Sequence, residues 1–165
     1  AKPSELLVHV NSVISENIKK VGGDKYMTIT VMACIRDGRF HYSGLHQDIM
    51  IYRLRSRSVE VFETDGMWLG IYSNIQGMVS DSTLTLGVGD TLLLFTDGIT
   101  EAMKADSPVG PSPSEQNMFG QNRLRDIFLR LGDRSTEEIK AGILKELSSY
   151  STYDDVTMMI LTRRV

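Results

Sequence analysis

Two acidic segments carry the side chains best suited to chemistry in this sequence of 165 residues. In the first, an apolar run ends in Asp97-Gly98, with Glu101 shortly after it, so a predicted strand delivers a carboxylate at its end. In the second, Asp154 and Asp155 open the apolar run that closes the chain. Carboxylate oxygens held on rigid elements are the ligands that hard divalent cations prefer. The two segments therefore predict a shared metal site, at which the Asp97 carboxylate would lie about 4–6 Å from that of one of the two acids Asp154 and Asp155.

Each segment also has a purely structural interpretation. Asp-Gly pairs are common in turns, and an acidic pair at the entrance of a strand is often simply solvated. Because adjacent strand residues face opposite sides of a sheet, at most one of Asp154 and Asp155 is expected to point toward Asp97. His46 is expected to be structural, because a lone histidine more often packs or hydrogen-bonds than binds a metal or acts as a base.

Apolar periodicity and turn residues predict the elements that would position these side chains. A helix is predicted from an N-cap at Ser4, and two further helices are predicted near the C-terminus, the second beginning with the capping box of Ser135 and Glu138. The Asp37-Gly38 pair predicts a hairpin. The predicted strands are residues 26–35, 40–44, 49–54, 59–63, 83–86, 91–96 and 156–161. Hairpin-linked strands with helices against them indicate an α+β fold with an antiparallel sheet.

Length and composition narrow the class of protein. The length favours one domain over residues 1–165, with a flexible loop at about 104–118 where Pro, Gly and Ser cluster. The 18 Lys and Arg against 21 Asp and Glu argue against nucleic-acid binding. No apolar run approaches the roughly 20 residues of a membrane helix, so no membrane contact is expected. The single Cys34 excludes an internal disulfide and fits a cytoplasmic location.

The motifs occur in the order of one known family. The run from Gly89 to Ala102, which contains Asp97, is very similar to that of the SpoIIE/RsbU-type serine/threonine phosphatases of the metal-dependent, phosphatase 2C-like (PPM) superfamily. Two later blocks and two earlier turns also resemble the family, although Trp68 replaces a proline and an extra residue separates Gly44 from His46. These are Phe119-Gly120 with Arg123-Leu124, Asp154 to Thr157, Leu69-Gly70 and Gly44-Leu45-His46.

The resemblance implies an antiparallel β-sandwich flanked by helices, with Mn²⁺ or Mg²⁺ bound at one end. By that resemblance Asp97 and Asp154 would be metal ligands, with Gly98, Glu101 and Asp155 in supporting positions and no catalytic residue beyond the ligands. In the family a further aspartate bridges two metals from an N-terminal Asp-x-x-Gly-Lys-Gly-like motif, which this sequence does not contain. The chain would then be the C-terminal two-thirds of an N-terminally truncated domain, with an incomplete binuclear site and weak or no activity.

The expected function is hydrolysis of phosphoserine or phosphothreonine in phosphoproteins of bacterial signalling, with anti-sigma-factor antagonists as possible substrates. An upstream sensory domain and self-association through exposed sheet edges are also expected. One alternative is an inactive pseudophosphatase that binds a signalling partner and naturally lacks the first motif. The other is a different hydrolase that uses Asp97 and Glu101.

Overall fold

The computed structural model describes residues 2–22, 25–104 and 117–165. It divides into two compact units, each built on one main antiparallel sheet. Unit 1 comprises Ala1–Asp48 with Glu63–Leu86, and unit 2 comprises Ile49–Phe62 with Gly87–Val165. Antiparallel sheets combined with helices confirm the predicted α+β class. The loop predicted at about 104–118 lies mostly outside the described residues, and no described helix is long and apolar enough to cross a membrane.

Unit 1 packs one long helix with a three-stranded sheet. Helix α1 spans Pro3–Val21, and strands β1 (Ile29–Cys34), β2 (Arg39–Leu45) and β5 (Ser82–Thr85) form a sheet in the order β1-β2-β5. Leu7 from α1 is buried with Leu69 and Ile75. The β1–β2 hairpin turns at Asp37-Gly38, where φ values of 54° and 71° place both residues in the left-handed region. Asn, Asp and Gly tolerate that region best, so the pair determines the turn as predicted.

The first helix begins earlier than predicted and buries a polar residue. It begins at Pro3 with Lys2 as N-cap, so the predicted cap at Ser4 is wrong. Ser4 instead donates from its backbone N–H and its Oγ to the two carboxylate oxygens of Asp81, at 2.9 and 2.7 Å. Asn11 is fully buried, and its amide group bonds the backbone at Gly70 and Tyr72. A polar residue therefore anchors the loop after Leu69, which an apolar pattern cannot predict.

Unit 2 carries a four-stranded sheet with helices on one of its faces. Its strands β3 (Ile49–Arg53), β4 (Ser58–Phe62), β6 (Thr91–Phe95) and β9 (Met158–Thr162) are ordered β4-β3-β6-β9. Helices α3 (Gln121–Leu131) and α4 (Thr136–Leu147) share a buried core with alternate residues of this sheet. Helix α4 begins at the predicted Ser135–Glu138 capping box.

Several elements of unit 2 depart from the predicted pattern. A one-turn helix, α2 (Asp97–Thr100), follows β6 directly. Two short strands, β7 (Met103–Lys104) and β8 (Tyr150–Ser151), pair with each other and were not predicted. Strand β9 begins at Met158 rather than at 156, and its residues alternate between half-buried and exposed. The predicted start of this strand at residue 156 is therefore two residues too early.

Candidate metal centre

Asp97 lies at the junction between a buried strand and a one-turn helix. Strand β6 ends at Phe95, Thr96 is extended, and Asp97 is the first residue of α2. The backbone N–H of Glu101 donates to the Asp97 carbonyl at 2.7 Å, which closes the turn. Ile99 is fully buried and fixes α2 to the core of unit 2. The Asp97 side chain is half-buried, so a rigid element presents it at the protein surface.

Asp154 and Asp155 lie in the turn that precedes β9, and both are exposed. One carboxylate oxygen of Asp154, Oδ1, accepts the backbone N–H of Asp155 at 2.7 Å. Because β9 begins only at Met158, the two acids are not strand residues. The expectation that they face opposite sides of a sheet therefore had the wrong basis.

The register of the sheet brings two segments side by side. We call residues 96–101 the Asp97 turn and residues 153–157 the Asp154 turn. Strands β6 and β9 are antiparallel, and Phe95 is paired with Met158. The residues that follow β6 therefore meet the residues that precede β9. Beyond that pair, the backbone N–H of Thr96 donates to the Thr157 carbonyl at 3.0 Å. The Thr96 hydroxyl continues the contact, donating to the Asp155 carbonyl and accepting from the Thr157 N–H, each at 3.0 Å.

Gly98 lies against the backbone of the Asp154 turn. An added Cβ at this position would overlap the carbonyl oxygen of Asp155 and would stand 3.0 Å from that of Asp154. Both obstacles are backbone atoms, which cannot swing aside as a side chain can. The absence of a side chain at Gly98 therefore permits the contact between the Asp97 turn and the Asp154 turn.

The remaining predicted residue of unit 2, Glu101, lies beside an open cleft. It ends α2 and is exposed. The cleft has a volume of about 850 Å³ and adjoins the Asp97 turn. The guanidinium carbon of Arg123 lies 5.9 Å from the ring centre of Phe119 and 5.5 Å from that of Tyr150. The residues around the cleft are Thr100, Glu101, Met118, Phe119, Gly120, Gln121, Asn122, Arg123 and Asp126.

His46 belongs to unit 1, where it takes part in a small hydrogen-bond network. Its Nδ1 lies 3.0 Å from the Thr28 hydroxyl. Its backbone N–H donates to the Thr64 hydroxyl at 3.1 Å, and that hydroxyl donates to the His46 carbonyl at 2.8 Å. These contacts agree with a structural role, which stays a prediction.

A buried carboxylate that the sequence reasoning missed organises the start of β6. Asp90 accepts hydrogen bonds from the Arg53 guanidinium at 2.8 Å and from the backbone N–H groups of Leu54 and Gly87, at 3.0 and 2.9 Å. Burial raises the pKa of Asp90, but the hydrogen bonds and the positive charge of Arg53 outweigh it, so its pKa is lowered. Asp90 therefore fixes the end of β6 opposite to Asp97.

The donor set near Asp97 suits a hard divalent cation. Asp97 and Asp154 supply carboxylate oxygens, the ligand type that Mg²⁺ and Mn²⁺ accept. Among residues 2–22, 25–104 and 117–165, no group of three or more His, Cys, Asp or Glu side chains is placed to hold a metal ion.

This chain matches a protein family and a curated bacterial protein in sequence. The chain matches the family described as Stage II sporulation protein E (SpoIIE) over residues 1–164. It is 25% identical over 167 residues to phosphoserine phosphatase RsbU of Bacillus subtilis, covering 99% of this chain and 46% of that protein.

Two solved structures share the fold at low sequence identity. The SiaA-PP2C domain of Pseudomonas aeruginosa superimposes with a TM-score of 0.76 at 16% identity, covering 98% of this chain and 61% of that one. The Mn-presoaked phosphatase domain of the cell fate determinant SpoIIE from Bacillus subtilis gives a TM-score of 0.58 at 16% identity, covering 94% and 64%. The chain thus spans less than two thirds of each relative. On the match over residues 1–164, the chain belongs to the SpoIIE family.

Proposed function

We propose that this chain is part of the catalytic domain of a metal-dependent phosphatase that acts on phosphoserine or phosphothreonine in signalling proteins. The observation that carries the proposal is the contact between the Asp97 turn and the Asp154 turn, through Thr96 and Gly98. Two carboxylates 57 positions apart are thereby presented from adjoining backbone. The likeness to a protein named phosphoserine phosphatase supports the choice of substrate class.

Each residue of the site has a proposed role in this reaction. Asp97 and Asp154 would hold Mn²⁺ or Mg²⁺, while Gly98 and Thr96 keep their turns together. Asp155 supports the Asp154 side chain through its backbone N–H. A divalent cation, when bound, supplies positive charge that activates a water and offsets negative charge on the phosphoryl group. A phosphatase domain presoaked with Mn among the structural relatives supports this choice of metal.

The cleft that begins at Thr100 and Glu101, at the end of α2, offers room for the substrate. Its volume of about 850 Å³ is within the range of ligand-binding clefts. Glu101 and Arg123 lie in its lining. The protein segment that flanks the phosphoserine would therefore meet both a carboxylate and a positively charged guanidinium group. We further propose a cytoplasmic phosphoprotein substrate, such as an anti-sigma-factor antagonist, and an upstream sensory domain.

The bridging aspartate of the family motif is not in this sequence, so the two carboxylates here give an incomplete site. Dedicated sites for hard cations use more protein oxygens than two. The 165-residue chain should therefore show little or no turnover. A longer chain that includes an upstream Asp-x-x-Gly-Lys-Gly motif should be active.

The test is phosphate release from a phosphoserine peptide at saturating Mn²⁺, measured for the short chain, the longer chain and the longer chain with Asp97→Asn. The longer chain should hydrolyse the peptide, and Asp97→Asn should abolish hydrolysis with little loss of fold. Robust activity of the short chain would overturn the assigned metal ligands. An inactive longer chain would instead indicate a pseudophosphatase that binds a signalling partner, and activity that needs Glu101 but no metal would indicate a different hydrolase.

A further inference from the structure

We propose that Thr96 is a positioning residue whose side-chain hydroxyl sets the metal affinity of the site by holding the Asp154 turn against the Asp97 turn. The inference rests on the proposed function, because it concerns how Asp97 and Asp154 are held for a cation. Thr96 itself touches neither metal nor substrate in this role.

The Thr96 hydroxyl joins the two turns both as a donor and as an acceptor. A hydroxyl has one hydrogen to donate and two lone pairs that accept. The Thr96 hydroxyl donates to the Asp155 carbonyl at 3.0 Å and accepts the Thr157 N–H at 3.0 Å. A longer contact of 3.5 Å reaches the Thr157 carbonyl. Both partners lie on the segment that carries Asp154, and Thr96 directly precedes Asp97.

The Asp154 turn has few other attachments to the Asp97 turn. It precedes the paired part of the sheet, because the register ends at Phe95 and Met158. Its acids are exposed, and only Val156 packs against the core of unit 2 among residues 154–156. The backbone bond from Thr96 to Thr157 fixes the end of the ladder. The Thr96 hydroxyl adds a side-chain hydrogen bond beyond the end of the ladder, to the carbonyl of Asp155.

Supporting groups of this kind matter because a metal site must hold its ligands close to the productive geometry. Loss of an outer hydrogen-bond partner commonly lowers metal affinity by about 10–100-fold. Thr96→Val keeps the size and branching of the side chain but removes both hydroxyl bonds. Thr96→Ser keeps the hydroxyl and removes only a methyl group.

The same two strands provide a matched control. At the other end of β6, the Thr91 hydroxyl lies 2.9 Å from the Thr162 hydroxyl of β9. Thr91→Val therefore removes a hydroxyl contact between the same pair of strands, far along the ladder from Asp97. A general loosening of the β6–β9 pairing would affect both valine variants, whereas a positioning role affects only the one at Thr96.

The experiment titrates the longer chain that includes the upstream motif with Mn²⁺ alone and follows unbound Mn²⁺ by electron paramagnetic resonance. Thr96→Val should weaken Mn²⁺ binding about tenfold or more, while Thr96→Ser and Thr91→Val should stay within about threefold of the wild type. Thr96→Ala, which also removes the hydroxyl, replaces the valine variant if that protein does not fold. Circular dichroism on every variant checks the fold.

The outcomes separate this inference from the proposed function. If Asp97→Asn removes Mn²⁺ binding while Thr96→Val and Thr96→Ala leave it unchanged, the proposed role of Thr96 is overturned and the metal site is not. Equal losses in the Thr96→Val, Thr96→Ser and Thr91→Val proteins would also overturn it. Mn²⁺ binding that is absent in the wild type, or that does not depend on Asp97, would overturn the metal site and with it the proposed function.

Discussion

Replacing Gly98 by alanine adds one methyl group where the Asp97 turn packs against the backbone of the Asp154 turn. The new Cβ would overlap the Asp155 carbonyl oxygen and would stand 2.9 Å from the Asp155 carbonyl carbon and 3.0 Å from the Asp154 carbonyl oxygen. Since Gly98 is buried at the start of α2, the methyl group cannot turn toward solvent. The Asp154 turn must therefore move away.

The expected loss of stability follows from three contributions. Inserting a methyl group into a packed site costs about 1–3 kcal/mol. Moving Asp155 also weakens its hydrogen bond with Thr96, which is worth roughly 0.5–1.5 kcal/mol. The lower entropy of the unfolded chain returns about 0.4–1 kcal/mol. The free energy of unfolding should therefore fall by roughly 0.5–4 kcal/mol, and Mn²⁺ affinity should fall with it.

Urea denaturation and Mn²⁺ titration measure the two effects, with Gly142→Ala as the matched control. Gly142 lies in α4, and an added Cβ would meet only the end of the flexible Leu131 side chain. Alanine is also favoured over glycine inside a helix by about 1 kcal/mol, so this variant should be close to the wild type in stability. A Gly98→Ala protein with unchanged stability and unchanged Mn²⁺ affinity would refute the contact.

Three further predictions concern acid stability, His46 and the edge of the sheet. Because the pKa of Asp90 is lowered in the folded state, the unfolded chain takes up its proton first as pH falls. The stability that Asp90 provides should be complete above about pH 5 and lost as pH falls below about 4. In urea denaturation across that range, the free energy of unfolding of the Asp90→Asn protein should fall less steeply with pH than that of the wild type. An equally steep fall would contradict the assignment. His46→Gln in an active longer chain should leave the shape of the pH–rate profile unchanged, whereas loss of an ionisation near pH 6–7 would make His46 an acid–base catalyst. Strand β9 has no second partner strand among the described residues and exposes Met159 and Leu161 at 59% and 40%. Such an edge should promote self-association, so Leu161→Lys should raise the monomer fraction in analytical ultracentrifugation, and a wild type that is monomeric at high concentration would contradict this.

The parts of the fold that local chemistry determines were predictable. The Asp37-Gly38 turn needs two positive φ values, and the sequence supplies residues that adopt them. The capping box at Ser135 and Glu138 is likewise a contact over three residues. Asp97 could be picked out because an apolar strand leads to it. In each case the cause and the effect lie within a few positions of one another.

The contacts that depend on distant parts of the chain were not predictable. The importance of Thr96 follows from the pairing of Phe95 with Met158, which is a property of the sheet register. The burial of Asn11 depends on hydrogen bonds to backbone groups at Gly70 and Tyr72, about 60 positions away. The helical pattern of apolar residues around Asn11 contains no sign of these partners. A threonine directly before a candidate metal ligand was the only local sign of its role.

The most direct test of the account is the position of Mn²⁺ in a crystal of this chain soaked with the ion. Anomalous scattering should show one peak near 2.0–2.3 Å from a carboxylate oxygen of both Asp97 and Asp154, roughly the metal–oxygen distance for such cations. The two carboxylates should then lie about 4–6 Å apart. A peak that touches only one of them, or carboxylates that point away from each other with Mn²⁺ bound elsewhere, would contradict the claim that the two turns form one metal site.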